Sequence, residues 1–129
     1  KGENMKKILP ILVIILLVIS CSSVESKNEN FSGKASWYGS EFEGSATASG
    51  ETFSSNKLTA AHRSLPFGSI IEVTNIKNDK KVKVKINDRG PFKGGRILDL
   101  SEEAFSRIAN INEGVIEVKV RVLKSGDVN

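Results

Sequence analysis

Among the side chains of types that move protons, three stand in distinctive local sequence: Asp88, Glu51 and His62. Carboxyl and imidazole groups held beside a reacting oxygen act as general acids and bases. Asp88 lies in Asn87-Asp88-Arg89-Gly90-Pro91-Phe92, just past an alternating run that ends near Ile86, in a turn closed by Gly90 and Pro91. Loops at strand ends carry a large share of catalytic groups, and an Asp in a turn also bonds turn backbone. Arg89 follows directly, and a cation against this carboxyl would favour its ionised form. The expectation is that Arg89 turns away to pair with another acid, or that Asp88 is no acid catalyst. Glu51 closes Thr47-Ala48-Ser49-Gly50-Glu51, a polar stretch that reads as an exposed loop; taken alone, it is a solvated surface acid. His62 is the only histidine. A neutral imidazole can orient a carboxylate or bond a hydroxyl, and one beside Ala60 and Ala61 can equally be a partly buried, satisfied residue.

Trp37 and Tyr38 offer aromatic faces that suit the apolar faces of sugar rings. Neighbours on a strand point to opposite sides, so at most one faces a cleft and the other belongs to the core. Ser49, Asn87 and Arg89 complete the substrate-binding candidates. Phe67 and Phe92, flanking Gly-rich turns, are expected as plugs of the core. Gly39, Gly50, Gly68 and Gly90 are expected to serve positive φ or close approach. With one His and one Cys, the chain lacks a diagnostic metal-ligand set; no metal and no cofactor are expected.

The elements that must position these groups are short strands. Val82, Val84 and Ile86 alternate with Lys81, Lys83 and Lys85, the period of a half-buried strand. Ser69 to Asn75 is its partner across the turn residues Lys77-Asn78-Asp79-Lys80. Ile116, Val118, Val120 and Val122 mark a further strand, and Arg96 to Leu100 a shorter one. Ser101 is placed to N-cap a helix with Glu102 and Glu103 in its first turn and Ala104, Phe105, Ile108 and Ala109 on one face. The fold class expected is mainly β, a small closed barrel with one short helix; closure removes the edges that short sheets expose.

The first twenty residues differ in kind from the rest. Lys6 and Lys7 precede an apolar run from Ile8 to Ile19, short for a membrane span but suited to an export signal. It ends Val18-Ile19-Ser20-Cys21, like a bacterial lipobox. The expected organisation is a signal over residues 1–20 and lipid on Cys21, with a tether over 21–32. A barrel domain over 33–123 and a tail over 124–129 follow. Two or three acyl chains anchor stably where one does not. The expectation is residence in the cell envelope, on the periplasmic side of the outer membrane. Of 19 basic and 15 acidic residues, the first twenty hold three lysines and one acid. The remainder is nearly balanced and has no basic stripe with interleaved aromatics, so no nucleic-acid partner is expected.

Seven motifs then occur in order: Ala35-Ser36-Trp37-Tyr38-Gly39, Thr47 to Glu51, Thr59-Ala60-Ala61-His62, Leu65-Pro66-Phe67-Gly68, Val73-Thr74-Asn75, Asn87 to Phe92 and Gly95 to Ser101. This series closely resembles the rare lipoprotein A (RlpA) family over about Gly33 to Leu123. The resemblance implies a double-psi β-barrel, the fold of expansins, barwin-like proteins and some endoglucanases. It also implies a lytic transglycosylase acting on peptidoglycan glycan strands stripped of stem peptides. In that reading Asp88 is the acid/base, and Glu51 and His62 act with it in the cleft. Such an enzyme needs only one carboxyl group, because the substrate's own C6 hydroxyl attacks the anomeric carbon. Two other functions fit the same side chains: an expansin-like module that grips wall glycan without cutting it, and a passive tether to the wall, which would need none of the three. Many relatives carry a C-terminal domain that binds denuded septal glycan. The sequence ends about six residues past the last expected strand, so a chain without that domain is expected.

Overall fold

The computed structural model describes residues 29–127. The export signal, Cys21 and most of the tether lie outside the described residues. Alternation of lysine with valine and isoleucine does build a strand, β4 (Lys81–Asp88), paired antiparallel to β3 (Ile70–Asn75). The turn between them bonds itself: Lys77 N–H donates to Asn75 Oδ1, and Lys80 N–H to Asn78 Oδ1. Asp79 takes the left-handed conformation (φ 61°) that Asp tolerates better than most residues.

β1 (Asn30–Trp37), β2 (Thr59–Ala61), β5 (Arg96–Leu100) and β6 (Val115–Lys124) complete a closed barrel in the order β1-β5-β2-β4-β3-β6. β1 runs parallel to β5 and β2 parallel to β4; the other four pairings are antiparallel. β1 starts earlier than the expected domain boundary at residue 33. Asn30, Phe31 and Ser32 pair with Arg121, Val120 and Lys119 of β6, so these residues belong to the barrel rather than to a tether. β2 was not visible as a strand, because Thr-Ala-Ala shows no alternation.

Inward-pointing Ala35, Ile71, Val73, Val84, Ile86, Leu98, Leu100, Val118 and Val120 fill the barrel. One helix, α1 (Glu102–Ile108), packs Ala104, Phe105 and Ile108 into that core. Ser101 Oγ accepts from Ala104 N–H at 3.2 Å and caps its start. Its end is capped at long range: Asn75 and Asn78 both donate side-chain N–H to the Ile108 carbonyl, at 2.8 and 2.9 Å. The β3–β4 hairpin turn is thereby tied to the helix.

A carboxylate-bearing face on the barrel

Cross-strand register lines up four positions. Ser36 pairs with Asp99, Asp99 with Ala61, and Ala61 with Asp88, across β1, β5, β2 and β4. Ala60 is paired with Ile86, so one extra residue, Asn87, intervenes on β4 before Asp88 meets Ala61. Strict alternation would put Asp88 on the face of Ile86, which is the core. A one-residue shift moves a side chain to the other face, and the inserted Asn87 turns Asp88 outward beside Asp99. Asp88 is thus the last residue of β4 rather than a residue of the following turn.

Asp88 Oδ1 accepts two backbone N–H groups, from Ala48 and from Arg89, each at 2.9 Å. The first reaches across from the loop between β1 and β2. That loop is also tied down by Ser49 N–H donating to the Asn87 carbonyl at 3.2 Å. Both donors fall on one oxygen, so the carboxylate is fixed in orientation. Arg89 turns away, but not to another acid. Its guanidinium donates to the carbonyls of Leu65 (2.8 Å) and His62 (3.3 Å) and lies 3.9 Å over the Phe67 ring, a cation–π placement. Arg89 is therefore a clasp between the end of β4 and the segment after β2. Phe67 is its platform and packs partly against the core.

Trp37, the last residue of β1, and Tyr38 just past it go to different surroundings. The Trp37 indole packs toward Phe105 and donates to the Ile111 carbonyl at 3.0 Å, which removes it from the candidate cleft. Tyr38 is stacked on Phe53 (4.6 Å, 11°) and edge-on to Phe42 (5.9 Å, 84°). Its hydroxyl is buried without a hydrogen-bond partner among the described residues. Burial, then the nearby Asp88 and Asp99 charges, push its pKa well above the ordinary tyrosine value. The phenol stays protonated, a neutral O–H near both carboxylates.

Asp99, within the Gly95 to Ser101 motif, is a further acid on this face that its local sequence does not mark out. It accepts from the Ser36 hydroxyl. Arg96 donates to Ser36 Oγ at 2.7 Å and lies 3.7 Å from the Asp99 carboxylate. Only cross-strand register reveals that Asp99 shares a face with Asp88.

The side chains of Glu51, His62 and Asp88 are joined by no hydrogen bond among the described residues. Glu51 is exposed and pairs with Lys85 Nζ at 2.9 Å, a solvated ion pair worth about 0–1 kcal/mol. It does not tune Asp88 through contact. Ser49 Oγ instead bonds Thr47 Oγ1 (2.9 Å) and the Glu51 amide (3.3 Å), holding the loop's own turn. Asn87 is buried, with its Oδ1 unpartnered among the described residues. Phe92 is no plug: it is 77% exposed. Gly50, Gly68 and Gly90 have positive φ, and Gly39, at φ −76°, is a place of close approach, where a Cβ would run into the Glu41 carboxylate.

His62 Nδ1 accepts the amides of Ser64 (3.1 Å) and Leu65 (2.9 Å), so its proton sits on Nε2. It meets the Asp88 residue through backbone, donating N–H to the Asp88 carbonyl at 3.1 Å. Partial burial, then Arg63 and Arg89, lower its pKa below 6.5, against an opposing pull from Glu29. A folded value below the unfolded one means that unfolded chains bind more protons on acidification. This contribution to stability is complete above about pH 6.5 and is lost as pH falls through the folded value. Thermal melts at about pH 7.5 and about pH 5 should therefore show a smaller loss for His62→Gln than for wild type. Equal losses would remove His62 from the pH response.

A separate groove of about 430 Å³ crosses β1, β6, β3 and the start of β4, lined among others by Glu72, Lys81, Lys119 and Arg121. Glu72 there pairs with Arg121 (3.3 Å) and Lys81 (3.9 Å). It contains none of the proton-moving candidates.

A closed six-stranded barrel with two parallel pairs and a carboxylate-bearing outer face defines a double-psi β-barrel protein. Solved structures agree on the fold. The Streptomyces papain inhibitor superposes with a TM-score of 0.62 at 20% identity, covering 74% of this chain and 96% of its own. A Clavibacter michiganensis expansin variant in complex with cellohexaose superposes at 0.61 and 20% identity, covering 78% of this chain and 54% of its own. The family model described as Lytic transglycolase matches residues 30–120. The chain belongs to this family, and within it to the RlpA group. The endolytic peptidoglycan transglycosylase RlpA of Campylobacter jejuni is 46% identical over 107 residues, which are 83% of this chain and 39% of that protein. The probable endolytic peptidoglycan transglycosylase RlpA of Synechocystis is 52% identical over 92 residues, 71% of this chain and 29% of its own. The chain thus spans two fifths or less of these relatives' length.

Proposed function

We propose that this protein is an endolytic lytic transglycosylase of peptidoglycan, cutting glycan strands that lack stem peptides and leaving 1,6-anhydroMurNAc ends. The observation that carries this reading is the single oriented carboxyl of Asp88, held through one oxygen by two backbone amides with the Arg89 guanidinium turned away. Asp88 gives its proton to the leaving glycosidic oxygen. The same group then takes the proton of the C6 hydroxyl as that oxygen attacks the anomeric carbon, so the group returns to its starting state. Tyr38 keeps a neutral hydroxyl near Asp88, and His62 holds the end of β4 through its backbone N–H to the Asp88 carbonyl. Curated relatives at 46–52% identity carry this activity in their names. Mass spectrometry of digested peptide-free strands tests it: anhydro ends support it, and ordinary reducing ends mean that water attacked. In a water-using hydrolase the second carboxylate would be Asp99, which shares a face with Asp88, rather than the Lys85-paired Glu51.

A second reading, an expansin-like binder that grips glycan without cutting it, is favoured by the same two amide donors, which hold the carboxylate in one orientation for accepting sugar hydroxyls. Absence of any cleavage product with retained glycan binding would select it. The Lys6-Lys7 pair, apolar run and Val18 to Cys21 sequence support a lipid anchor on Cys21 in the outer membrane, facing the periplasm. Cys21→Ala should then leave the membrane fraction or stay unprocessed; normal processing and fractionation would count against the anchor.

A further inference from the structure

Among the described residues Phe92 is the most exposed of the large apolar side chains, at 77%, and it lies four residues after Asp88. Burying such a ring would stabilise the fold, and this loop forgoes it. The loop is not loose. Arg89 is clasped to Leu65, His62 and Phe67, and Gly90 and Pro91 are buried. Beyond Phe92, Gly94 and Gly95 take left-handed φ values of 69° and 66°, and Arg96 Nε donates back to the Lys93 carbonyl at 3.3 Å. The ring lies against Gly90, where a Cβ would meet it at 3.6 Å. Both ends of the crest are pinned, and the aromatic face is presented outward.

A second exposed aromatic, Phe42 at 49%, stands edge-on to Tyr38. Tyr38 N–H bonds the Leu100 carbonyl, at the end of β5, whereas the Phe92 loop feeds the start of β5 at Arg96. Four strand steps, about 13 Å, separate those ends. Asp99 lies on the same strand, one strand removed from Asp88 across β2. Exposed rings thus stand near both ends of β5, the strand that carries Asp99, and Phe92 follows Asp88 on a loop clasped at its base.

We propose that Phe92 is a sugar-stacking platform, a subsite that takes the apolar face of a pyranose ring away from the scissile bond and makes the site prefer longer glycan strands. This rests on the glycan-cleaving reading above. A rigid ring loses little conformational freedom on binding, and Phe presents no polar atom to compete for water.

The test uses the full chain, with peptide-free glycan strands of defined length. Phe92→Ala should raise KM for long strands roughly tenfold, as expected for loss of one aromatic contact, with kcat changed less than about twofold. The KM penalty should shrink as strands shorten below the reach of the ring. Phe92→Trp should restore the wild-type KM. Calorimetric titration of the same strands into Asp88→Asn, with and without Phe92→Ala, gives the binding loss independently of cleavage. If wild type releases no anhydro ends but that titration still shows the loss, the platform stands and the transglycosylase reading falls. An unchanged KM and Kd in a Phe92→Ala protein that melts like wild type would overturn the platform, as would failure of Phe92→Trp to restore binding.

Discussion

Replacing Asp88 by asparagine is expected to lower release of anhydro ends from peptide-free glycan by roughly 10²–10⁴-fold, the usual cost of removing a positioned acid/base. Glycan affinity should stay near that of wild type. The reason is local. Asn keeps an oxygen able to accept the Ala48 and Arg89 amides, now at 2.9 Å each to Asp88 Oδ1. The loop over the end of β4 should therefore hold its place while the transferable proton is gone. A variant that cuts within tenfold of wild type would take Asp88 out of the chemistry. One that melts normally yet loses glycan binding would make Asp88 a sugar-holding group and favour the expansin-like reading. His62→Ala should reduce cleavage less, because the imidazole bonds the Ser64 and Leu65 amides rather than the Asp88 carboxylate.

The second large effect is on the fold. Phe105→Ala should destabilise the barrel by about 3–5 kcal/mol, the range for deleting a buried aromatic ring. Phe105 is fully buried on α1 and carries the Trp37 indole against it at 6.4 Å. A domain of this size has only about 5–15 kcal/mol in all, and each kcal/mol moves its melting point by about 4–8 °C. Calorimetry should show a fall of at least about 12 °C, with Phe105→Leu falling less. A drop under about 4 °C would mean that α1 is not needed to complete the core. The expected loss also reaches the site, since Trp37 and Tyr38 are consecutive and displacing one indole disturbs the neighbouring phenol.

The sequence by itself determined what is encoded over a few neighbouring residues. Alternation of lysine with valine and isoleucine sets β4, and Ser101 ahead of Glu102 and Glu103 sets the start of α1. Asn78-Asp79 sets a turn, and seven ordered motifs carry the RlpA resemblance that the comparisons bear out. Strand period also sets the expectation that Trp37 and Tyr38 part. Which of them meets the acids it does not set, and the tertiary structure decided it. It likewise decided the outward turn of Asp88, which hangs on one inserted residue, and the partner of Arg89, which is a pair of carbonyls and a ring. Glu51 was drawn off to Lys85, Asp99 was brought beside Asp88, and Phe92 was left in the open. The physical reason is separation along the chain. Ser36 and Asp99 are 63 residues apart, Ala48 and Asp88 40, and Arg89 and Leu65 24. No period or turn preference reaches that far; register between strands does, and register exists only once the barrel has closed.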